Sequence, residues 1–341
     1  MMVSTSQPAV SQLLADNKKV IDELVASTEE PTWQNFVEPL ETIDNRFEKV
    51  WGPVGHLDAV MNSDEWHKTY TECLEKVTQY YTENGQNAGL YKKFNTLSQS
   101  SEYKSYDLAQ KKVIENALRN FRLSGIALPK DEQAIYKELK QRLSQNSSLF
   151  GNQVLKSTQA WSKHIEDKAE LTGLPESAIG LLQQLAQQKS LSGWCITLDF
   201  PSYLAIMTHA ENRDLRAEVY KAFSTRASDQ ADNTQFDNSE LIEIIRADRH
   251  QLATLLEFNN YAEYSLATKM ANSTDQVLGF LRDLAVKSKP QAQQELATLK
   301  AFAKTELGIN DFQPWDVTYA SEKLKNKTSR GLYRARGWQR I

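Results

Sequence analysis

The 341-residue chain is poor in the groups that most often carry chemistry. It has two cysteines, Cys73 and Cys195, far apart and in no C-x-x-C pair, which argues against a disulfide framework or a thiolate zinc site and leaves both as reduced packing residues. None of its 13 glycines lies two positions from another and no G-K-[ST] occurs, so no loop can cradle a phosphate in the usual way and nucleotide binding has no support. No apolar run approaches the roughly 20 residues needed to cross a bilayer. The start, MMVSTSQPAVSQLLADNKK, has neither a basic opening nor a continuous apolar segment, so it does not read as a secretory signal and the expected location is the cytoplasm.

Histidine is scarce too. The five, His56, His67, His164, His209 and His250, are never followed by Glu and never spaced by four. A zinc peptidase of the H-E-x-x-H type needs two imidazoles one helical turn apart with a glutamate to activate water, and that arrangement is absent. His56 and His67, with Glu65 nearby, are a weak metal candidate beside their reading as surface or cap residues. Cys195 with His209 as base is a conceivable nucleophile pair, but Cys195 lies in an alternating stretch that favours packing. Asp131-Glu132 and Glu166-Asp167 read as solvated helical faces, and Arg246, Arg249 and His250 as packing and surface residues. No catalytic, cofactor-binding or metal residue is assigned.

What the chain does have is helical periodicity. Hydrophobic content of 40% with 25% charged residues is ordinary for a globular protein. Val10, Leu13, Leu14, Ile21 and Leu24 share one face. Pro31-Thr32 opens a second helix, in which Pro39 should cost a hydrogen bond and which Gly52-Pro53 should end. Ser63 or Asp64 caps a third, bearing Trp66, Tyr70, Cys73, Val77, Tyr80 and Tyr81; this aromatic stripe reads as packing. Residues 105–122 form another helix, and near-heptad spacing from Asp131 to about Glu170 predicts a long one. Helices also start at Pro175-Glu176 and at the capping-box sequence Ser273-Thr274-Asp275-Gln276. Residues 238–273 supply a core helix, Leu241 to Leu256, then an Asn259-Asn260 corner. Only 194–200 alternates like a strand, and no partner strand is evident. The fold class is therefore mainly α with one short strand near 194–200.

The charge is uneven. The net charge is −4, but six basic residues and no acid fall in 324–341, so residues 1–323 carry −10. An acidic body is a poor nucleic-acid binder, and no membrane partner is expected.

Several blocks are distinctive as words: Pro31-Thr32-Trp33 with Val37-Glu38-Pro39-Leu40, Lys112 to Arg119 with Phe121-Arg122-Leu123-Ser124-Gly125, Gly173-Leu174-Pro175-Glu176, Thr197 to Leu204, Thr225-Arg226-Ala227-Ser228, Ala262 to Ala271 and Pro314-Trp315-Asp316-Val317. Through them the chain, from about residue 9 to 325, resembles the N-terminal half of the oligopeptidase A branch of the thimet oligopeptidase family, zinc metallopeptidases that cut short peptides. The resemblance implies a nearly all-helical clam shell, with 1–325 as its N-terminal helical part and a soft subdivision near 190. It also implies short peptides as substrates, zinc as the cofactor of the intact enzyme, and a monomeric intact relative. Glu257 stands where the family pattern Leu-Leu-Gly-Phe puts glycine, removing the usual helix-ending residue.

The family's H-E-x-x-H lies beyond the match, so no family site residue transfers to this chain. The expectation is an N-terminal fragment of a zinc metalloendopeptidase that is inactive alone, binds no zinc itself and self-associates through uncovered apolar surface. The alternative is a non-catalytic helical adaptor or regulator that holds peptides. Residues 326–341, basic and without family pattern or helical periodicity, read as an out-of-frame tail, which an H-E-x-x-H coded just downstream in another frame would support.

Overall fold

The computed structural model describes residues 3–335, with side chains from 5 to 328. In chain order come helices α1 (Val3–Ala26), α2 (Glu38–Val60), α3 (Asp64–Gly85), α4 (Ala88–Gln99), α5 (Ser101–Ser105), α6 (Leu108–Leu123) and α7 (Lys130–Ala160). Strand β1 (Ser162–Ile165), α8 (Glu176–Gln188), strand β2 (Trp194–Thr197), α9 (Phe200–His209) and α10 (Arg213–Ser224) follow, then α11 (Ser239–Leu255), α12 (Tyr261–Leu266), α13 (Thr274–Leu307) and α14 (Val317–Ala335). The fold is mainly α. It divides into two compact units, Met1–Leu149 with Glu243–Met270, and Phe150–Ile242 with Ala271–Ile341.

In the first unit, one cluster buries Ile21, Phe36, Leu90, Phe94, Leu97, Ile114 and Phe121, and a second buries Val10, Phe47, Val54, Trp66, Cys73 and Val77. Helix starts follow side-chain caps. Ser63 accepts from the Trp66 N–H at 3.2 Å, and Asp107 and Gln110 form a reciprocal box at the start of α6.

Two expectations fail in α2. Pro39 costs no interior bond, because it follows a π-helical turn, Trp33–Val37, and sits in the first turn of α2. The hydrogen-bond register shortens from i+5 to i+4 at the one residue without an N–H, so no donor is stranded. Gly52-Pro53 does not end the helix, which runs on to Val60. Packing on α3 overrides the breaker: Trp51 stacks on Tyr70 at 5.4 Å, Val54 is buried, and the Trp66 indole donates to the Val54 carbonyl at 3.3 Å.

Helix α11 closes with Glu257 in the left-handed region at φ 62°. Phe258 N–H donates to Ala253 O at 2.9 Å and Glu257 N–H to Thr254 O at 3.0 Å, the paired bonds of a Schellman stop formed without glycine. Asn260 then caps α12 through the Glu263 N–H at 3.0 Å.

In the second unit, the predicted long helix stops at Ala160, and 162–165 form the partner that β2 lacked in the sequence. The strands are antiparallel, with Ser162 opposite Thr197 and Ile165 opposite Trp194. Trp161 and Ile165 continue the heptad spacing of α7, but Ile165 is 1% exposed in a cluster with Leu171, Leu182, Ile196, Ile206 and Val219, so sheet pairing wins over local pattern. Strand β2 ends at Thr197, short of the predicted Phe200, which opens α9. The Thr197 N–H turns to the Ser202 hydroxyl at 3.0 Å instead.

Ser273 caps α13 through the Gln276 N–H at 3.1 Å, while the Gln276 side chain takes the Asn272 N–H at 2.7 Å in place of the cap's own. Much of α13 is uncovered, with Phe280, Leu281, Leu284 and Val286 exposed. Its far end packs Leu299 and Ala303 against Ile309 and Ala320. Helix α14 continues through 326–335, which the sequence read as aperiodic: it is already nucleated upstream, and Lys, Leu, Arg and Ala sustain it without a proline. Residues 336–341 of the basic tail lie outside the described residues.

Candidate functional site

The histidines are dispersed. His67 Nδ1 lies 3.1 Å from Asp58 Oδ1 and 3.3 Å from Oδ2, so its ring nitrogen is committed to one carboxylate. His56 is exposed on α2, and His164 Nε2 lies 2.6 Å from the Ser192 carbonyl oxygen. Cys195 is fully buried in β2, its thiol directed to the Ile196 carbonyl at 3.8 Å, while His209 ends α9. Among the described residues, no group of three or more His, Cys, Asp or Glu side chains gathers as a metal site. The side chains present therefore do not fit the zinc ion that the resemblance implies, and no chemistry is routed through it.

The concave feature of the first unit is a cavity of about 960 Å³, bounded by α1, α2, α3, α4, α6, α7, α11 and α12. Its apolar wall includes Leu90, Phe94, Phe121 and Leu252. On α7, Tyr136, Lys140, Leu143, Ser144 and Ser147 face it, the spacing of one helical stripe. The Tyr136 hydroxyl is held by the Leu123 carbonyl at 3.2 Å and pairs with Tyr264, and its burial, then Tyr264, pushes it far above the usual tyrosine range. Ser144 and Thr78 share a hydrogen bond at 2.9 Å. Burial pushes the Lys140 ammonium below the usual lysine range. The Arg249 guanidinium, exposed, sits 5.0 Å over the Tyr261 ring. Glu41 and Asp44 line the cavity from α2, and burial followed by the charges of Glu41 and Glu48 raises the Asp44 carboxyl.

Sequence reasoning passed over Lys140. Its signal was positional: a lysine four residues after Tyr136 and three before Leu143, on the inward stripe of the helix.

The second unit holds a polar centre that is structural. Asp316 is fully buried and accepts from Arg216 Nη2 at 2.8 Å, Arg213 Nη2 at 2.9 Å and the Gln313 N–H at 3.0 Å. Arg216, 1% exposed, also donates to the Ala210 carbonyl at 2.7 Å and lies 4.1 Å over the Tyr319 ring. Arg213 reaches the Asp311 carbonyl as well. Burial opposes the Asp316 charge, but donors from Arg213, Gln313 and Arg216 outweigh it and hold the carboxyl below the ordinary range. The Asp316 carboxylate and the Arg216 guanidinium are taken up by each other and by backbone groups, which fits a clamp between α10 and the start of α14. A shallow pocket of about 370 Å³ between α8 and α9 is lined by Pro175, Pro201, Leu204 and His209 and gathers no second titratable group.

No helix among the described residues is long and apolar enough to cross a membrane. The family model for the neurolysin/thimet oligopeptidase N-terminal domain matches residues 10–133, and that for peptidase family M3 matches 206–335. Oligopeptidase A of Escherichia coli is 47% identical over 319 residues, which are 93% of this chain and 47% of that protein. Oligopeptidase A of Haemophilus influenzae is 46% identical over 94% of this chain and 47% of its own length. A probable cytosolic oligopeptidase A of Arabidopsis thaliana is 36% identical over 94% of this chain and 46% of its own. The chain spans about half the length of the curated relatives it matches. On both family models and on identity carried through more than nine-tenths of its residues, the chain belongs to the oligopeptidase A / thimet oligopeptidase family of metallopeptidases.

Proposed function

We propose that this chain is the N-terminal helical part of a zinc-dependent oligopeptidase that hydrolyses short peptides in the cytoplasm, and that alone it supplies the lobe restricting substrate access and none of the zinc centre. One observation carries the reading: identity of 47% runs through 319 residues that contain no H-E-x-x-H and, among the described residues, no cluster of metal-ligating side chains. The hydrolytic step of an intact relative needs a zinc-bound water and a glutamate base, and this sequence holds no H-E-x-x-H to supply them. The uncovered apolar residues of α13, Phe280, Leu281, Leu284 and Val286, fit a helix that packs against further polypeptide.

The purified chain is tested by elemental analysis after dialysis against zinc and by cleavage of internally quenched short peptides. The expected result is substoichiometric zinc and no cleavage above the buffer rate. Zinc-dependent turnover that co-purifies with the 341-residue species overturns the proposal.

A further inference from the structure

Lys140 lines the 960 Å³ cavity, and its ammonium makes no hydrogen bond or ion pair to any described residue. One turn earlier on α7, Lys137 points outward and pairs with Glu83 at 2.8 Å, so the inward stripe and not the helix as a whole is what strands the charge. Burial acts on Lys140 with no carboxylate to offset it. Glu41 and Asp44, the acids of the same cavity, are therefore not its counter-ions. A half-buried ammonium with no partner in the protein is available to an anion that enters the cavity.

The surroundings of Lys140 indicate the missing group. Ser144 and Ser147 lie four and seven positions on along the same stripe and line the cavity with it, and Asn116 and Asn120, one turn apart on α6, line it too. These hydroxyls and amides can donate to an anion beside the ammonium. Beyond them the wall is apolar, through Leu90, Phe94, Phe121 and Leu252. One ammonium with neutral donors suits a monoanion better than a phosphate, which favours two or more cations, and the apolar wall suits a greasy body behind the charge. The volume falls within the roughly 300–1,000 Å³ of small-molecule sites.

We propose that this cavity binds a carboxylate carried on an apolar body, with the Lys140 ammonium meeting the anion. The carboxylate comes either from the C-terminus of a short apolar peptide or from a free aryl- or alkyl-carboxylic acid. Neither zinc nor turnover enters the test, so it stands or falls apart from the proposed function.

The experiment is calorimetric titration of the full chain with 4-phenylbutyrate, with N-acetyl-Leu-Phe and with its C-terminal amide, then of K140M and K140R. Saturable 1:1 binding of at least one acid is expected, with the amide and the K140M titrations weaker by about tenfold or more and K140R within about threefold of the parent. Binding of the peptide acid alone assigns the site to peptide C-termini, and binding of 4-phenylbutyrate alone assigns it to free acids; either upholds the carboxylate site. Removing an unpaired charge should leave K140M as stable as the parent or more so, which a thermal melt verifies, and K140R guards against loss of fold. The proposal is overturned if neither acid saturates, if the amide binds as well as the acid, if inorganic phosphate binds as tightly, or if K140M binds like the parent.

Discussion

Asp316→Asn should unfold the second unit far more readily than its one-atom change suggests. The parent carboxylate is fully buried and receives Arg216 at 2.8 Å and Arg213 at 2.9 Å. Asparagine keeps the shape but loses the charge, and its amide group turns a donor towards a guanidinium. Arg213 is 38% exposed on its side chain and can be rehydrated, so its share is small, about 0–1 kcal/mol as for surface pairs. Arg216 is 1% exposed and cannot. It keeps the carbonyls of Ala210, Glu211 and Trp315, but its charge is left without a counter-ion, for which the general cost is about 3–5 kcal/mol.

Urea unfolding followed by tryptophan fluorescence is a suitable assay, since Trp315 adjoins the pair, with the transition of each unit fitted separately. Because the Asp316 carboxyl is held below its unfolded value, its contribution is complete above about pH 3.9 and is lost as pH falls through the folded value. The acid-side loss of stability should accordingly flatten in the variant. The double change Arg216→Met with Asp316→Leu should be less harmful than Asp316→Asn alone. A destabilisation under about 1 kcal/mol, or a double variant worse than the sum of its singles, would refute the clamp.

Two backbone positions give opposite predictions. Glu257 carries about 1–2 kcal/mol of strain in its left-handed φ of 62°, so Glu257→Gly should stabilise the first unit by about 0.5–1 kcal/mol after glycine's greater unfolded-state freedom, seen as a melting temperature higher by about 2 °C; an unchanged or lower melt rejects it. Gly193 has φ 73°, and a Cβ there collides with the Ile165 carbonyl oxygen, so Gly193→Ala should destabilise the second unit by about 2–4 kcal/mol; urea midpoints within error of the parent would show that β1 and β2 adjust at no cost.

How much of this was legible from sequence depends on the range of the interaction that decides each element. Ser63 acts on an N–H three residues on, so its helix starts where the side chain says, whereas the helix read from 105 starts at Leu108, where Asp107 supplies the cap. The stops were harder, because they are set by distant partners: Pro53 is carried through by Trp51, Val54 and Trp66, and α7 ends because residues 162–165 have β2 to pair with. A four-residue strand whose only buried member is Ile165 has too little period-two signal to compete with a heptad that runs straight into it. Glu257 shows the converse case. The expected glycine is missing, yet Phe258 N–H and Glu257 N–H still close the helix, so the stop is enforced by Asn260 and α12 just beyond it, and the strain falls on Glu257.

The words that identify the family are, in this chain, mostly joints. Asp316 of Pro314-Trp315-Asp316-Val317 is the buried counter-ion of Arg216. Ala227 of Thr225-Arg226-Ala227-Ser228 sits at φ 51° with its N–H on the Ser157 hydroxyl at 3.0 Å, and Arg226 lies 3.6 Å over the Phe223 ring. Gly173 of Gly173-Leu174-Pro175-Glu176 has φ 95°, where a Cβ meets the His209 carbonyl oxygen. Each such position admits few residue types for a steric or electrostatic reason, so it fixes the fold tightly while saying nothing of a reaction. Lys140 is the opposite kind of residue. It belongs to none of those words, and it lines a cavity with no hydrogen bond or ion pair to any described residue. A residue that the fold alone does not explain is the better place to look for a ligand: Lys140, on a cavity wall, is such a residue, whereas Arg213 and Arg216 are spent on Asp316.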